Sequence, residues 1–333
     1  MFIALACFTV LVFFGSVVYY FTDNPESSKP LTPLIIGYNY WPGVLPLFVA
    51  EEKGLFENED LKVELRAYED YFTLLDDLSS GKIDLASDVV LVDAIKGYLA
   101  GDKITVIGVS DYSQGADGLV VNNEIVKISD LRGKTIAVEK DTVGEYLLFA
   151  ILQRGKLDFS QVVLADLSAS KGVDAFLENK VDAVVTYEPD LSRAQEKDQS
   201  RLLVDSKDFS GLISDVITVN TDYAYKNQAS LKAFLKAYFK GVDYIKSNPE
   251  ETGKIGSNYF KIMEAEFNRQ LSGVKILDYD ENIQAMSYSG GLKSAYGSGK
   301  YLADLLLQFG KISQSYAWED LINPIYLNIL YRP

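Results

Sequence analysis

One order of elements, β-α-β-α-β, occurs twice in this chain, and no other feature limits its possible folds as strongly. In the first copy Leu34–Tyr40 is an apolar, β-rich run, Leu45–Leu55 has helical periodicity and Leu61–Ala67 alternates like a strand. A second helix, Tyr71–Ser80, leads through Gly81 into the strand Ile83–Ser87. The second copy reads Thr135–Glu139, Val143–Arg154, Val162–Asp166, Val173–Glu178 and Val181–Thr186 in the same roles. The order predicts parallel sheets with right-handed crossovers, and two copies predict two α/β lobes. A length of 333 residues agrees, since roughly 150 residues is usual per domain.

The copies also share wording. Gly81-Lys82-Ile83-Asp84-Leu85-Ala86-Ser87-Asp88 corresponds, with a small slip, to Asn179-Lys180-Val181-Asp182-Ala183-Val184-Val185-Thr186-Tyr187-Glu188. Each third strand ends in a hydroxyl residue and then an acid, which pairs Asp88 with Glu188. The β-rich runs Ile104–Asp111, Gly118–Val121 and Asp215–Asn220 are the expected crossings between lobes. After Asp222 the pattern is mostly helical, with Leu231–Ile245, Glu250–Tyr259, Met263–Leu271 and Lys300–Phe309 expected to pack on the first lobe. The resulting division is 34–116 plus 220–333 for lobe 1 and 117–219 for lobe 2.

Residues Met1–Phe21 carry no charged side chain, enough for a membrane-spanning helix. No Lys or Arg precedes Lys29, so an uncleaved anchor over 1–22 is favoured over a cleavable signal. Ala4-Leu5-Ala6-Cys7 has a faint likeness to a lipoprotein cleavage box, but the apolar run continues past the cysteine. The proline- and serine-rich stretch 23–33 reads as a tether.

Several chemistries are excluded. A net charge of -15 repels phosphate backbones, so nucleic acid is not an expected partner. There is no histidine, and the one cysteine, Cys7, lies in the apolar segment. Ser-His-Asp and Cys-His catalysis and His-containing metal sites are therefore impossible. Gly133-Lys134-Thr135 lacks the first glycine and the strand-first context of a phosphate loop. We expect a binding protein, not an enzyme, with no cofactor.

In open parallel sheets ligands gather at the carboxyl ends of strands, so two facing lobes put those ends around one cleft. Asn39, Tyr40 and Trp41 follow the first strand, and Trp41 offers a flat apolar face with an N–H donor. Asp141, Thr142 and Gly144 occupy the matching turn of the second copy. There Thr142 is the expected N-cap, and the amides behind it can hold an anion or simply be capped. Ser87 and Asp88 end one third strand; Tyr187 and Glu188 end the other, where Glu188 can instead serve the helix after Pro189. The polar run Ser110–Asp117, with Ser113 and Asp117, reads as a hinge loop that is either solvated or in contact with ligand. Asp215 opens the last crossing. Should Asp88, Asp117, Glu188 or Asp215 line a closed cleft, an uncompensated carboxylate there would cost several kcal/mol. A donor-rich or cationic end on the ligand would remove that cost.

Ile36-Gly37-Tyr38-Asn39-Tyr40-Trp41-Pro42-Gly43, Pro46–Phe56, Gly81-Lys82-Ile83-Asp84, Asp130-Leu131-Arg132-Gly133-Lys134 and Val184-Val185-Thr186-Tyr187-Glu188-Pro189 together resemble the nitrate/sulfonate/taurine-type substrate-binding proteins of ABC transporters. The resemblance covers roughly Leu34–Asn248. It implies a type II periplasmic-binding-protein fold, two crossing strands, a small solute trapped by hinge closure, a periplasmic or extracytoplasmic location at the inner membrane, and a permease and an ATPase as partners. The superfamily also includes binders of thiamine-pyrimidine precursors and an enzyme branch whose active-site histidine this sequence lacks. The solute could thus be taurine- or sulfonate-like, amine-bearing or pyrimidine-like. An anchored start is also compatible with a ligand sensor feeding a signalling partner.

Overall fold

The computed structural model describes residues 31–313 and 317–330. The apolar segment 1–22 and most of the expected tether lie outside them. Among the described residues no helix is long and apolar enough to cross a membrane.

The first repeat is β1 (Thr32–Tyr38), α1 (Leu45–Glu52), β2 (Leu61–Ala67), α2 (Tyr71–Ser80) and β3 (Leu85–Val90). Strand β1 starts two residues before Leu34, inside the expected tether. Helix α2 shows how local chemistry sets the boundaries. The Asp70 carboxylate accepts from the Thr73 N–H (2.7 Å) and hydroxyl (2.9 Å), which satisfies an orphan amide of the first turn. Leu74 and Leu78, one turn apart, face the core, and Gly81 ends the helix at φ +78°, where a side chain would be strained. Next come α3 (Leu91–Ala100), β4 (Ile104–Ser113) and β5 (Asp117–Asn122).

The second repeat is β6 (Thr135–Val138), α4 (Val143–Arg154), β7 (Val163–Asp166), α5 (Ala169–Leu177) and β8 (Ala183–Tyr187). Then follow α6 (Asp190–Gln195), β9 (Ser200–Asp205), β10 (Ser214–Asn220), α7 (Thr221–Lys226), α8 (Gln228–Ser247), α9 (Pro249–Phe260) and α10 (Glu264–Leu271). The last elements are β11 (Val274–Ile276), α11 (Tyr279–Ala285), α12 (Ala295–Gln308) and α13 (Ile325–Asn328).

The sheets are ordered β2-β1-β3-β10-β4, with β11 at the edge, and β7-β6-β8-β5-β9. Their shared order is the duplication seen in space. It extends to single bonds: Asp84 Oδ2 accepts from the Ile35 N–H and Asp182 Oδ2 from the Thr135 N–H, both at 2.8 Å. The expectation of wholly parallel sheets needs correction, because both are mixed. β10 runs antiparallel to β3 and β4, and β5 antiparallel to β8 and β9. A strand arriving from the other lobe enters at the end where the parallel strands stop, so it must run against them.

Two further expectations change. Residues 214–219 were assigned to lobe 2, but β10 pairs in the first sheet over its whole length, so the change of lobe precedes Ser214. The helical tail does pack on the first lobe: α8 buries Leu231, Phe234, Leu235, Tyr238 and Val242 as one stripe. It does not stop there. Phe309, just after α12, sits 5.1 Å from Phe149 and 5.5 Å from Phe159 and stacks on Tyr146 of the second lobe.

Candidate functional site

The first lobe builds its part of the site from two irregularities flanking β10. Val216 pairs with Val89 and Thr218 with Ala86, so Ser87 and Asp88 together oppose Ile217. Val216 also pairs with Val109 and Asp215 with Asp111, which leaves Ser110 as an extra residue. Such bulges re-aim side chains. Here they accompany acids in strands that are otherwise apolar.

Asp88 is 1% exposed; its Oδ2 accepts from the Asn39 N–H at 2.7 Å and its Oδ1 has no partner. Asp111, fully buried, accepts from Trp41 Nε1–H at 3.1 Å and stands directly opposite Asp215. Asp111 and Asp215 are register partners across β4 and β10, Asp111 Oδ2 is buried without a hydrogen-bond partner, and two buried carboxyl groups so placed avoid mutual repulsion only when one keeps its proton. From the crossing, the Ser113 hydroxyl bonds to the Asp117 carboxyl and, at 2.7 Å, to the Ser206 hydroxyl. The Ser206 oxygen also accepts from the Gly115 N–H.

Desolvation dominates the charge of this cluster. It pushes Asp88 up to about 7 against the Asn39 amide, with Asp111 adding repulsion. It pushes Asp117 up to about 7 against the Ser113 bond, with Asp111 and Glu188 adding repulsion. Asp111 and Asp215 are both raised, first by burial; for Asp215 the other three acids raise it further. All four carboxyls are thus shifted toward keeping a proton at pH values where free carboxylates have lost it, Asp88 and Asp117 to about 7 and Asp111 to about 6.

The remaining expected residues lie around this core. Tyr40 and Tyr187 are about half exposed, and Tyr40 packs edge-on against Tyr38 and Phe260. Asp141, at φ +64°, ties the lobes together. Its carbonyl accepts from Lys96 Nζ of α3 at 3.0 Å and its carboxylate pairs with Lys311. Gly144, in the first turn of α4, packs beside Val138 and Val185.

Four site expectations are corrected, and one stated alternative holds for Glu188. Thr142 stands at the N-cap, but its hydroxyl turns back to the Glu139 carbonyl (2.8 Å) and caps nothing. The Trp41 N–H is not free for a ligand, since Asp111 holds it. Ser110–Asp117 is not a hinge loop: only Gln114–Ala116 link the strands, and Ser110, Asp111, Ser113 and Asp117 are buried. Ile36 pairs with Leu85 and Ile136 with Ala183, so the register partner of Asp88 is Thr186, not Glu188. Glu188 serves α6, accepting from the Ser192 N–H (3.1 Å) and hydroxyl (2.7 Å). It also borders a cavity of about 350 Å³ with Ser192, Lys207 and Arg269 beside the crossing.

Sequence reasoning took in Asp111 only as part of the polar run Ser110–Asp117 and did not single it out, although an acid at the end of the apolar run Ile104–Asp111 was a usable signal. It also missed Tyr238, which looks like any other member of the α8 stripe. Among the described residues no group of three or more acids has the geometry to hold a metal ion.

Two lobes of like topology, two crossing segments and a polar cluster where they meet define a two-lobed solute-binding protein. The chain belongs to the NMT1/THI5-like family, whose model matches residues 41–252. It is 26% identical over 261 residues to the taurine-binding periplasmic protein of Escherichia coli, covering 75% of this chain and 76% of that one. The fold matches the periplasmic aliphatic sulphonate binding protein SsuA from Escherichia coli at TM-score 0.71 and 21% identity, covering 85% and 94% of the two chains. It also matches the periplasmic nitrate-binding protein NrtA from Synechocystis PCC 6803 at TM-score 0.67 and 14% identity, covering 90% and 88%. The chain is a binding protein, not an enzyme.

Proposed function

We propose that this protein is the extracytoplasmic solute-binding component of an ABC importer, taking up a small organic solute between its lobes and delivering it to a permease and ATPase. The carrying observation is that Trp41, Asp88, Asp111 and Asp215 from the first sheet meet Asp117 from the second at the strand ends where the chain crosses. Asn39, Tyr40, Ser87, Ser113, Asp141, Thr142, Gly144, Tyr187 and Glu188 complete the walls in this reading. Lobe 1 takes up about 34–116 together with the tail, lobe 2 the residues between, and segment 1–22 holds the protein at the membrane. The solute is taurine- or sulfonate-like, amine-bearing or pyrimidine-like.

A thermal-shift screen against taurine, alkanesulfonates, nitrate, small amines and thiamine-type pyrimidines tests the reading. A ligand at 100 times its Kd adds about 2.7 kcal/mol to the folded state and raises Tm visibly. No shift across the whole panel counts against capture of these solutes.

A further inference from the structure

The acid cluster is built from four strands, and among the described residues no cation is paired with it. Nothing positively charged contributes to lowering Asp88, Asp111, Asp117 or Asp215. An independent group points into the same space. Tyr238 of α8 is fully buried, its hydroxyl has no hydrogen-bond partner, and it lies within electrostatic reach of Asp111, Asp215 and Asp88. Ser87 Oγ and Asp88 Oδ1 are likewise buried without partners. Polar groups left unpaired in this way are costly, and a donor-rich cation satisfies the carboxylate oxygens while offsetting the charge they take on when ionised. A metal ion does not fit, because the carboxylates do not converge on one centre.

We infer that the Asp111–Asp215 pair is an exchange point, where an ammonium or amidinium end of the solute takes the place of the shared proton and that proton leaves to solvent. Trp41, half-buried and bonded to Asp111, stands at the boundary between the pair and the outside. Gly43 leaves the room for this contact: a Cβ there would lie 2.0 Å from Asp111 Oδ2. Burial raises both carboxyls, so the resting pair keeps its proton into the neutral range, whereas a cation favours the ionised form. Binding therefore strengthens as pH rises. The titratable groups on the elements packed around the pair are Tyr71 of α2, Asp93 of α3, Tyr238 of α8 and Glu188 after β8. The lysines on packed elements are already paired: Lys96 of α3 is held by Asp93 at 2.9 Å, and Lys275 of β11, the strand alongside β4, is held by Glu281 of α11 at 2.5 Å.

The inference rests on solute capture and names its chemistry. Its test is calorimetric titration of the purified full chain with ethylamine, taurine and ethanesulfonate, at several pH values and in two buffers of different ionisation heat. The expected result is binding of the two amines, about one proton released, and affinity rising by up to about tenfold per pH unit while the pair keeps its proton. Asp215→Asn, which keeps size and hydrogen bonding, should fold and lose that slope. Binding of ethanesulfonate as tight as that of taurine without proton release overturns the exchange and leaves capture standing. Survival of the slope in Asp215→Asn also overturns it. Failure of the entire solute panel overturns capture of these solutes, and the exchange with it.

Discussion

The two lobes share a strand order and even the aspartate that braces the start of the first strand, yet their third strands end differently. In lobe 1, β3 bulges at Ser87 and Asp88 and buries a carboxyl. In lobe 2 the register-equivalent position is Thr186, and β8 runs on regularly to Tyr187. The turns differ as well. Asn39–Trp41 leads into a short 3-10 turn, Pro42–Val44, that locks Trp41 on Asp111, whereas Glu139–Thr142 opens straight into α4. The repeat supplies scaffold to both halves, and the chemistry is made by departures from it, concentrated in lobe 1.

The comparison breaks most visibly at the equivalent pair Asp88 and Thr186. Burial raises Asp88 to about 7, so its contribution to stability is full below the unfolded value near 4 and is lost as pH rises through about 7. The loss is on the order of 4 kcal/mol. Asp88→Asn should therefore stabilise the unliganded protein by several kcal/mol at pH 8.5 and by almost nothing at pH 4, measured by urea unfolding. Thr186→Val, which removes an unpartnered hydroxyl, should stay within about 1 kcal/mol at both. Equal pH profiles for the two variants would mean that the lobes do not differ in this way.

A smaller effect is expected at the two turns. Gly43→Ala drives a Cβ into Asp111 and should cost about 1–3 kcal/mol while weakening any ligand seated on Trp41. Gly144→Ala meets only ordinary contacts at 3.6 Å and should be neutral, or stabilising by up to about 1 kcal/mol. Thermal unfolding of the pair checks the contrast. The smallest effect sharpens the likeness between lobes: Asp84→Ala and Asp182→Ala each remove one bond to a strand amide. Each should cost about 1 kcal/mol, and the two costs should agree within a few tenths.

Much of the scaffold was legible because it repeats. Tyr71–Ser80, Leu61–Ala67 and Val143–Arg154 fall where periodicity and caps put them, since those signals are local. Strand β3 was misplaced by two residues because Asp84 bonds across to Ile35 before the ladder begins, a contact between distant segments. The acids Asp88, Asp117 and Asp215 stood out as charges beside apolar strands. Asp111 carried the same signal, but that it stands opposite Asp215, and that Tyr238 faces the acids from a helix in the tail, had no local signature.

By itself, then, the sequence determined two α/β lobes, the crossings and the absence of histidine or thiol chemistry, because periodicity, turn residues and composition act within a few residues of one another. Only the tertiary structure decided that the crossing strands run antiparallel, that Asp111 meets Asp215, and that Glu188 and Thr142 turn away to local partners. Those outcomes depend on strand register and bulges, where a shift of one residue sends a side chain to the opposite face.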